Sequence, residues 1–198
     1  HISTRESVDM IKYGKSRGFP VTCEVTPHHL LLCDEDLKED GNYKMNPPLR
    51  SKWDREALIS AFKDGVIDCI ATDHAPHAKA EKELGLERSA FGIIGLETCF
   101  SLLYTEFVLK GVFPLQRLIE GLTINPAKIF KLPIGELKKG GKASFTFIDL
   151  EKDWLIGQNF YSKSSNSPFI GRKVKSKITG LYDNGKLLMW EGKLSEKI

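Results

Sequence analysis

In the first two-thirds of the chain, short apolar runs alternate with amphipathic segments. The spacing predicts a helix from the capping box at residues 3–6 to about residue 18, and a strand over 19–25. A second unit repeats the scheme, with a helix from Ser51 to Gly65 and a strand over 66–71. Helices are also predicted over roughly 95–110, 114–122 and 125–131. A helix followed by a nearly continuous apolar strand is typical of a parallel sheet covered on its faces, so the pattern predicts an α/β fold.

From about Pro133 the period changes from helical to alternating. A strand is predicted over residues 143–148, and residues 175–181 and 186–191 form a predicted hairpin joined by Asp183-Asn184-Gly185. The pattern therefore divides the chain into an α/β unit, residues 1–132, and an appended β unit, residues 133–198.

Length and composition restrict the class of protein. The chain has 198 residues, with 41% hydrophobic and 28% charged residues, as expected of a globular protein. A complete (β/α)8 barrel needs about 250 residues and does not fit. No apolar run approaches the roughly 20 residues of a membrane span. The chain begins at His1, without an initiator Met or a signal-peptide pattern, which favours the interpretation that its start is a cut.

Charge and cysteine usage argue against a nucleic-acid partner and for a reducing compartment. Residues 133–198 hold 12 basic and 7 acidic side chains, but the lysines are scattered and not clustered with aromatic residues. A solvated surface is the simpler interpretation. The cysteines form no CxxC pair, which predicts a cytoplasmic protein. They are Cys23, Cys33, Cys69 and Cys99.

The histidines all follow predicted strands or stand at the chain start. They are His1, His28, His29, His74 and His77. The carboxyl ends of parallel strands are where barrels and open α/β sheets keep their active sites. A single loop histidine is usually structural, but their joint placement points to an active site.

The segment TDHAPH at residues 72–77 is the sharpest chemical signal. Asp73 stands at the mouth of a buried strand, where a carboxylate can bind a metal through one oxygen and accept a proton through the other. Residues 78–89 read as a long polar loop, which favours a mobile lid over a capped helix.

Five segments carry further motifs. They are HIST at 1–4, CEVTPHHL at 23–30, MNPPLR at 45–50, TDHAPH at 72–77 and FGIIGLET at 91–98. In this order and spacing they resemble dihydroorotases of the amidohydrolase superfamily, over essentially the whole chain. The resemblance implies the C-terminal portion of a (β/α)8 TIM-type barrel, beginning at its sixth strand, with part of a small appended β-sandwich.

The resemblance assigns metal and acid/base roles. His1 matches a zinc ligand, and Asp73 matches a zinc ligand that is also the general acid/base. The intact active site of the family holds two Zn²⁺ ions. Glu24 faces the right end of the barrel for an outer-shell role, while His28 and His29 are expected to be structural residues that orient the loop after the seventh strand.

The resemblance also assigns substrate contacts. Asn46 and His77 match residues that hold the substrate, and the backbone around Phe91 and Gly92 matches the loop that contacts the pyrimidine ring. The implied activity is the zinc-dependent, reversible cyclisation of N-carbamoyl-L-aspartate to L-dihydroorotate in pyrimidine biosynthesis. The implied partners are this small-molecule substrate and a homodimer mate or aspartate transcarbamoylase, with no nucleic acid and no membrane.

The sequence departs from the family in what it lacks. Dihydroorotases also need an HxH pair, a bridging carboxylated Lys or an Asp, a further His, and an Arg that grips the substrate carboxylate. Since His1 and Asp73 are only two ligands where catalytic zinc takes three, the chain by itself is expected to be inactive. Its unpaired strand edges and uncovered barrel surface also predict poor solubility or oligomerisation.

Three other interpretations stay open. A hydantoinase or allantoinase would share the barrel and metals, although the string from Asp73 to His77 together with MNPP at 45–48 favours a dihydroorotase. A catalytically inactive dihydroorotase-like domain would serve as a scaffold for a partner. An α/β domain whose histidines share no task would need none of this chemistry.

Overall fold

The computed structural model describes residues 1–133 and 138–195. The helices are α1 (Arg5–Ser16), α2 (Pro27–Leu31), α3 (Lys52–Lys63), α4 (Lys79–Lys82), α5 (Gly85–Arg88), α6 (Cys99–Leu103), α7 (Leu115–Leu122) and α8 (Ile124–Phe130). The strands are β1 (Glu24–Val25), β2 (Cys69–Ile70), β3 (Ser144–Leu155), β4 (Lys173–Asp183), β5 (Lys186–Trp190) and β6 (Lys193–Leu194). Short 3₁₀ turns cover Asp34–Asp36 and Gly41–Tyr43.

The α/β unit is built on parallel pairing. Strand β1 pairs in parallel with β2, with Glu24 opposite Cys69. The amide of Ile2 donates to the carbonyl of Glu24 at 3.0 Å, so the start of the chain lies beside β1. His1, the residues after β1 and those after β2 therefore come to one edge of the sheet, as the sequence predicts.

The observed strands β1 and β2 are both shorter than the strands predicted from the sequence. Phe19 donates to the carbonyl of Gly14 at 3.0 Å and so closes α1, while Val66 donates to Ala61 at 2.9 Å and closes α3. The prediction of strands over 19–25 and 66–71 was wrong at these ends because their first residues satisfy the carbonyls of the preceding helix.

Helix starts follow local capping chemistry. Ser51 and Asp54 form the capping box of α3, with the Asp54 amide 3.2 Å from the Ser51 hydroxyl. In α1 the cap is Thr4, whose hydroxyl accepts from the Ser7 amide at 3.1 Å, and not the predicted Ser3. Ser3 is buried ahead of the helix.

Two further predictions are corrected, and one helix is found that the sequence pattern did not predict. The helix over 95–110 begins only at Cys99 and continues from α6 as a π-helical turn, Tyr104–Val108. The region after β1 contains α2, capped by Thr26 with Pro27 in its first turn. The polar segment 78–89 contains the short helices α4 and α5, so it is not a structureless loop. Lys82 within it is buried.

The appended unit is one antiparallel sheet in the order β3-β4-β5-β6. Asp183 pairs with Lys186, so the loop is Asn184-Gly185, and both loop residues have positive φ (48° and 85°). This is the conformation that a type I′ hairpin turn requires, which confirms the predicted hairpin. The strand predicted over 143–148 extends to Leu155. Among the described strands, β3 and β6 are the edges.

One buried cluster crosses the predicted boundary near Pro133. Ile156, Phe169 and Val174 from the C-terminal part belong to the same cluster as Leu102 and Leu118 of the α/β part. The division at 132/133 stays a prediction. No helix within residues 1–133 and 138–195 combines the length and apolar character that a membrane crossing needs.

Candidate active site

A histidine between two carboxylates occupies the mouth of the sheet. The Nε2 atom of His1 lies 3.3 Å from Oδ1 of Asp73, and its Nδ1 contacts Oε1 of Glu24. Glu24 belongs to β1, and Asp73 follows β2 by three residues. The three side chains are about 30% exposed, so the cluster is open to solvent and substrate.

The backbone at Asp73 adopts a left-handed conformation. Its φ is +50°, in a region that is uncommon outside glycine and in which aspartate is found more often than most other residues. Such a conformation costs roughly 1–3 kcal/mol and persists only where the surrounding structure holds it, most often at functional sites. The turn directs the Asp73 carboxylate toward His1 and away from a helix-capping role.

His1 and Asp73 fit a zinc site as part of its ligand set. Imidazole nitrogen and carboxylate oxygen are both common zinc ligands. Within residues 1–133 and 138–195, however, no group of three or more His, Cys, Asp or Glu side chains is arranged to hold a metal ion. A catalytic zinc takes three protein ligands, so the described residues alone form an incomplete site.

His77 anchors a second cluster further along the same loop. Its Nε2 lies 2.8 Å from the carbonyl oxygen of Phe91. Because a carbonyl can only accept, Nε2 carries the proton. Nδ1 faces the Glu81 carboxylate at 3.6 Å, and the His77 amide donates to the side-chain oxygen of Asn166 at 3.1 Å.

The Phe91–Gly92 backbone is held close to this histidine. Gly92 has a φ of +110°, and a Cβ there would lie 2.5 Å from the Cβ of Ala75, so only glycine fits. Its amide donates to the carbonyl of Lys44 at 2.9 Å. Asn46, two residues after Lys44, is exposed and is followed by a cis Asn46–Pro47 peptide bond.

The other three histidines have structural partners or are buried. His29 accepts from the Thr26 hydroxyl at 2.7 Å and donates to the Pro47 carbonyl at 3.0 Å, so it joins the region after β1 to the Asn46 segment. His74 Nδ1 accepts from the Gly95 amide at 3.1 Å. His28 is 1% exposed, and burial, with a smaller effect of His29, lowers its pKa well below the usual value.

Two site residues lie outside every motif. Asn166, 6% exposed, donates from its amide nitrogen to the carbonyls of Ala75 at 3.0 Å and Gly92 at 3.1 Å. Lys82 places its ammonium among backbone carbonyls of the same loop. Nothing in the local sequence distinguishes them from surface polar residues, because the carbonyl partners of Asn166 lie 74 and 91 positions away and those of Lys82 lie 8, 10 and 38 positions away.

A polar cleft of about 740 Å³ opens beside His77. It runs between the 3₁₀ turn at Gly41–Tyr43, the helix α4 and the segment that carries Asn166. The site therefore has two parts, the His1–Glu24–Asp73 cluster with metal-ligand chemistry and the His77–Phe91–Gly92 cluster with hydrogen-bonding groups.

Comparison with known proteins matches residues 3–188 to the model of the Amidohydrolase family. The dihydroorotase of Halalkalibacterium halodurans is 55% identical over 195 residues, which are 98% of this chain and 45% of that protein. The chain thus spans just under half the length of the curated relatives that it matches.

Solved structures agree on the fold. L-Hydantoinase (dihydropyrimidinase) from Arthrobacter aurescens superposes with a TM-score of 0.91 at 30% identity, over 98% of this chain and 45% of that one. The inactive dihydroorotase-like domain of a Chaetomium thermophilum CAD-like multifunctional protein has a TM-score of 0.75 at 22% identity, over 98% of this chain and 51% of that one. These neighbours support a TIM-barrel-type α/β fold. That the chain is the C-terminal part of such a protein stays a prediction.

Proposed function

The chain belongs to the amidohydrolase family, and from that premise we propose that it forms part of a dihydroorotase. The complete protein would catalyse the reversible cyclisation of N-carbamoyl-L-aspartate to L-dihydroorotate in pyrimidine biosynthesis. The observation that carries the proposal is the His1–Asp73 pair at the mouth of the parallel strands, in a chain 55% identical to a protein named as dihydroorotase.

Asp73 performs the proton transfer in the proposed mechanism. In the hydrolytic direction, water adds to the ring carbonyl carbon and the bond from that carbon to the ring nitrogen breaks. Asp73 takes a proton from the attacking water and delivers it to the departing nitrogen, and the reverse sequence closes the ring. His1 and Asp73, together with ligands beyond the described residues, would hold zinc, which would lower the pKa of the attacking water and polarise the ring carbonyl.

The second cluster orients the substrate. His77 Nε2 donates to the Phe91 carbonyl, which fixes the ring against this stretch of backbone. The side chain of Asn46 is exposed, and its amide nitrogen can donate to an anionic substrate. These contacts hold the reacting carbonyl near Asp73 and contribute orientation more than bond-breaking power.

Two structural proposals accompany this function. The sheet of β3 to β6 is one layer of a small β-sandwich, since it leaves apolar side chains exposed, among them Phe147 and Trp190. The protein works in a reducing cytoplasm, since all four cysteines are free and buried. Association with a second copy or with aspartate transcarbamoylase remains a prediction.

A substrate panel on the full-length protein tests the function. Dihydroorotate, hydantoin and allantoin are supplied at equal concentration, and kcat/KM is measured for each. We expect dihydroorotate to be preferred by at least tenfold. A preference for hydantoin would favour the hydantoinase that the solved neighbour represents, and a folded protein that turns over none of the three would favour the inactive scaffold.

A further inference from the structure

Lys82 is a buried cation in a helix that otherwise faces solvent. Its neighbours on α4, Lys79 and Glu81, are exposed, yet Lys82 is 5% exposed. Its ammonium lies 2.7 Å from the carbonyl of Ala90, 2.8 Å from that of Gly92 and 3.4 Å from that of Lys44. An ammonium has three N–H donors, so these three carbonyls match its donors one for one.

The three carbonyls frame the substrate half of the site. Ala90 and Gly92 flank Phe91, whose own carbonyl accepts from His77. Lys44 precedes Asn46 by two residues and also accepts from the Gly92 amide at 2.9 Å. One side chain therefore joins the two backbone segments that carry the proposed substrate contacts.

The lowered pKa of Lys82 shows that burying its ammonium has an energetic cost. Burial lowers the pKa of Lys82 to about 8, although the nearby Asp40 carboxylate acts in the opposite direction. The three carbonyls satisfy the N–H donors of Lys82 but carry no full negative charge, so they offset only part of the cost of burying the ammonium. Replacing a buried charged group by an apolar one is often neutral or stabilising, so a hydrogen-bonded cation here favours a role in fixing geometry over one in adding stability.

We propose that Lys82 is a positioning residue of the active site, whose ammonium holds the Ala90–Gly92 and Lys44–Asn46 backbones in the geometry that binds substrate. The proposal rests on the proposed dihydroorotase function. Lys82 acts through these carbonyls and does not touch the reacting atoms. Because a displacement of about 1 Å at a positioning group can cost on the order of 100-fold in rate, loss of this tie is expected to reach the chemistry.

The experiment compares Lys82→Met with Lys52→Met in the full-length protein. Met retains most of the length of the side chain and removes the ammonium, while Lys52 is an exposed residue at the start of α3. We expect Lys82→Met to lower kcat/KM for dihydroorotate by about 10- to 100-fold, mainly through KM, with unchanged zinc content. Lys52→Met is expected to match the wild type, and Lys82→Arg to recover part of the loss.

A second readout separates this proposal from the function on which it rests. Amide hydrogen exchange at Gly92, whose N–H donates to the carbonyl of Lys44, is expected to be about tenfold faster or more in Lys82→Met and unchanged in Lys52→Met. If the wild type does not turn over dihydroorotate, the proposed function fails while the exchange measurement still decides whether Lys82 holds the loop.

Two results would overturn the positioning role. One is wild-type kcat and KM in Lys82→Met with only a lower melting temperature, which is the behaviour of a purely structural residue. The other is unchanged exchange at Gly92. Should Lys82→Met not fold, Lys82→Gln, which keeps an uncharged N–H donor, takes its place with the same expected direction.

Discussion

At Asp73 the local motif and the backbone conformation identify the same carboxylate. The motif places an acidic residue after a buried strand, and the φ of +50° turns it toward His1. His1 and Glu24 have no comparable local signature, since each is an ordinary residue whose role depends on the neighbouring strand. The role of a single residue can thus be read from sequence only where its own surroundings are distinctive.

The acid/base role of Asp73 predicts a specific kinetic result. Asp73→Asn in the full-length protein should lower kcat by about 100- to 10,000-fold with a smaller change in KM, because the amide cannot shuttle the proton. Steady-state kinetics with dihydroorotate measures both constants. Asp64→Asn, at the end of α3, is the matched control and should leave kcat and KM unchanged. A change confined to KM would refute the role.

Buried His28 predicts a pH dependence of stability. Burial keeps its pKa well below the value of about 6.5 that it has in the unfolded chain. Below pH 6.5 the unfolded state therefore binds more protons than the folded state, and the free energy of unfolding falls as the pH falls. In thermal unfolding between pH 5 and 8, His28→Met should lose less stability on acidification than the wild type. Parallel pH curves for the two proteins would contradict this account.

At the scale of elements, α7 packs so closely on α3 that one position tolerates no side chain. A Cβ on Gly121 would lie 2.8 Å from ring carbons of Phe62, which is fully buried. The Phe62 ring cannot withdraw easily, because Arg117 stacks 4.1 Å from its centre on one side and Phe113 meets it edge-on at 5.2 Å. The sequence shows only a glycine within a predicted helix.

This contact reverses the usual effect of a Gly-to-Ala change in a helix. Gly121→Ala should lower the free energy of unfolding by roughly 1–3 kcal/mol through overpacking. Gly14→Ala in α1 is the matched control, since its Cβ would meet Val21 at an ordinary 3.5 Å. It should be neutral or raise stability by up to about 1 kcal/mol. Denaturant unfolding measures both, and equal effects would exclude the close contact as the cause.

For the molecule as a whole, the appended sheet is one region that exposes many apolar side chains. Its described strands expose seven large apolar side chains by 36–56%. They are Phe145, Phe147, Leu155, Ile178, Leu187, Trp190 and Leu194. Exposed apolar side chains gathered on one sheet often mark a surface that another layer or chain covers.

The isolated 198-residue chain is therefore expected to self-associate and to show no turnover of dihydroorotate. Sedimentation velocity and a substrate assay test the two statements separately. Trp190→Lys should reduce the association, whereas Trp53→Lys, at an exposed position on α3, should have little effect. A monomeric chain with turnover comparable to that of the full-length protein would show that both expectations are wrong.

Features that depend on neighbours a few residues away could be predicted from the sequence. The start of α3 at Ser51 and the Asn184-Gly185 turn are local arrangements of hydrogen bonds and backbone angles. The segment TDHAPH at residues 72–77 also places Asp73 and His77 close together after a buried strand. The predicted starts of β1 and β2 were wrong, because apolar residues there donate to carbonyls of the preceding helix and do not pair with a neighbouring strand.

The contacts that hold the His77–Phe91–Gly92 cluster in place become visible only in the folded chain. Lys82 meets carbonyls up to 38 positions away, and Asn166 reaches Ala75 across 91 positions. A polar residue in such a position has the same local pattern as one in solvent, since its burial is created by segments distant in the chain. Hydrophobic period and capping signals carry no information about these distant partners, and the fold alone brings them together.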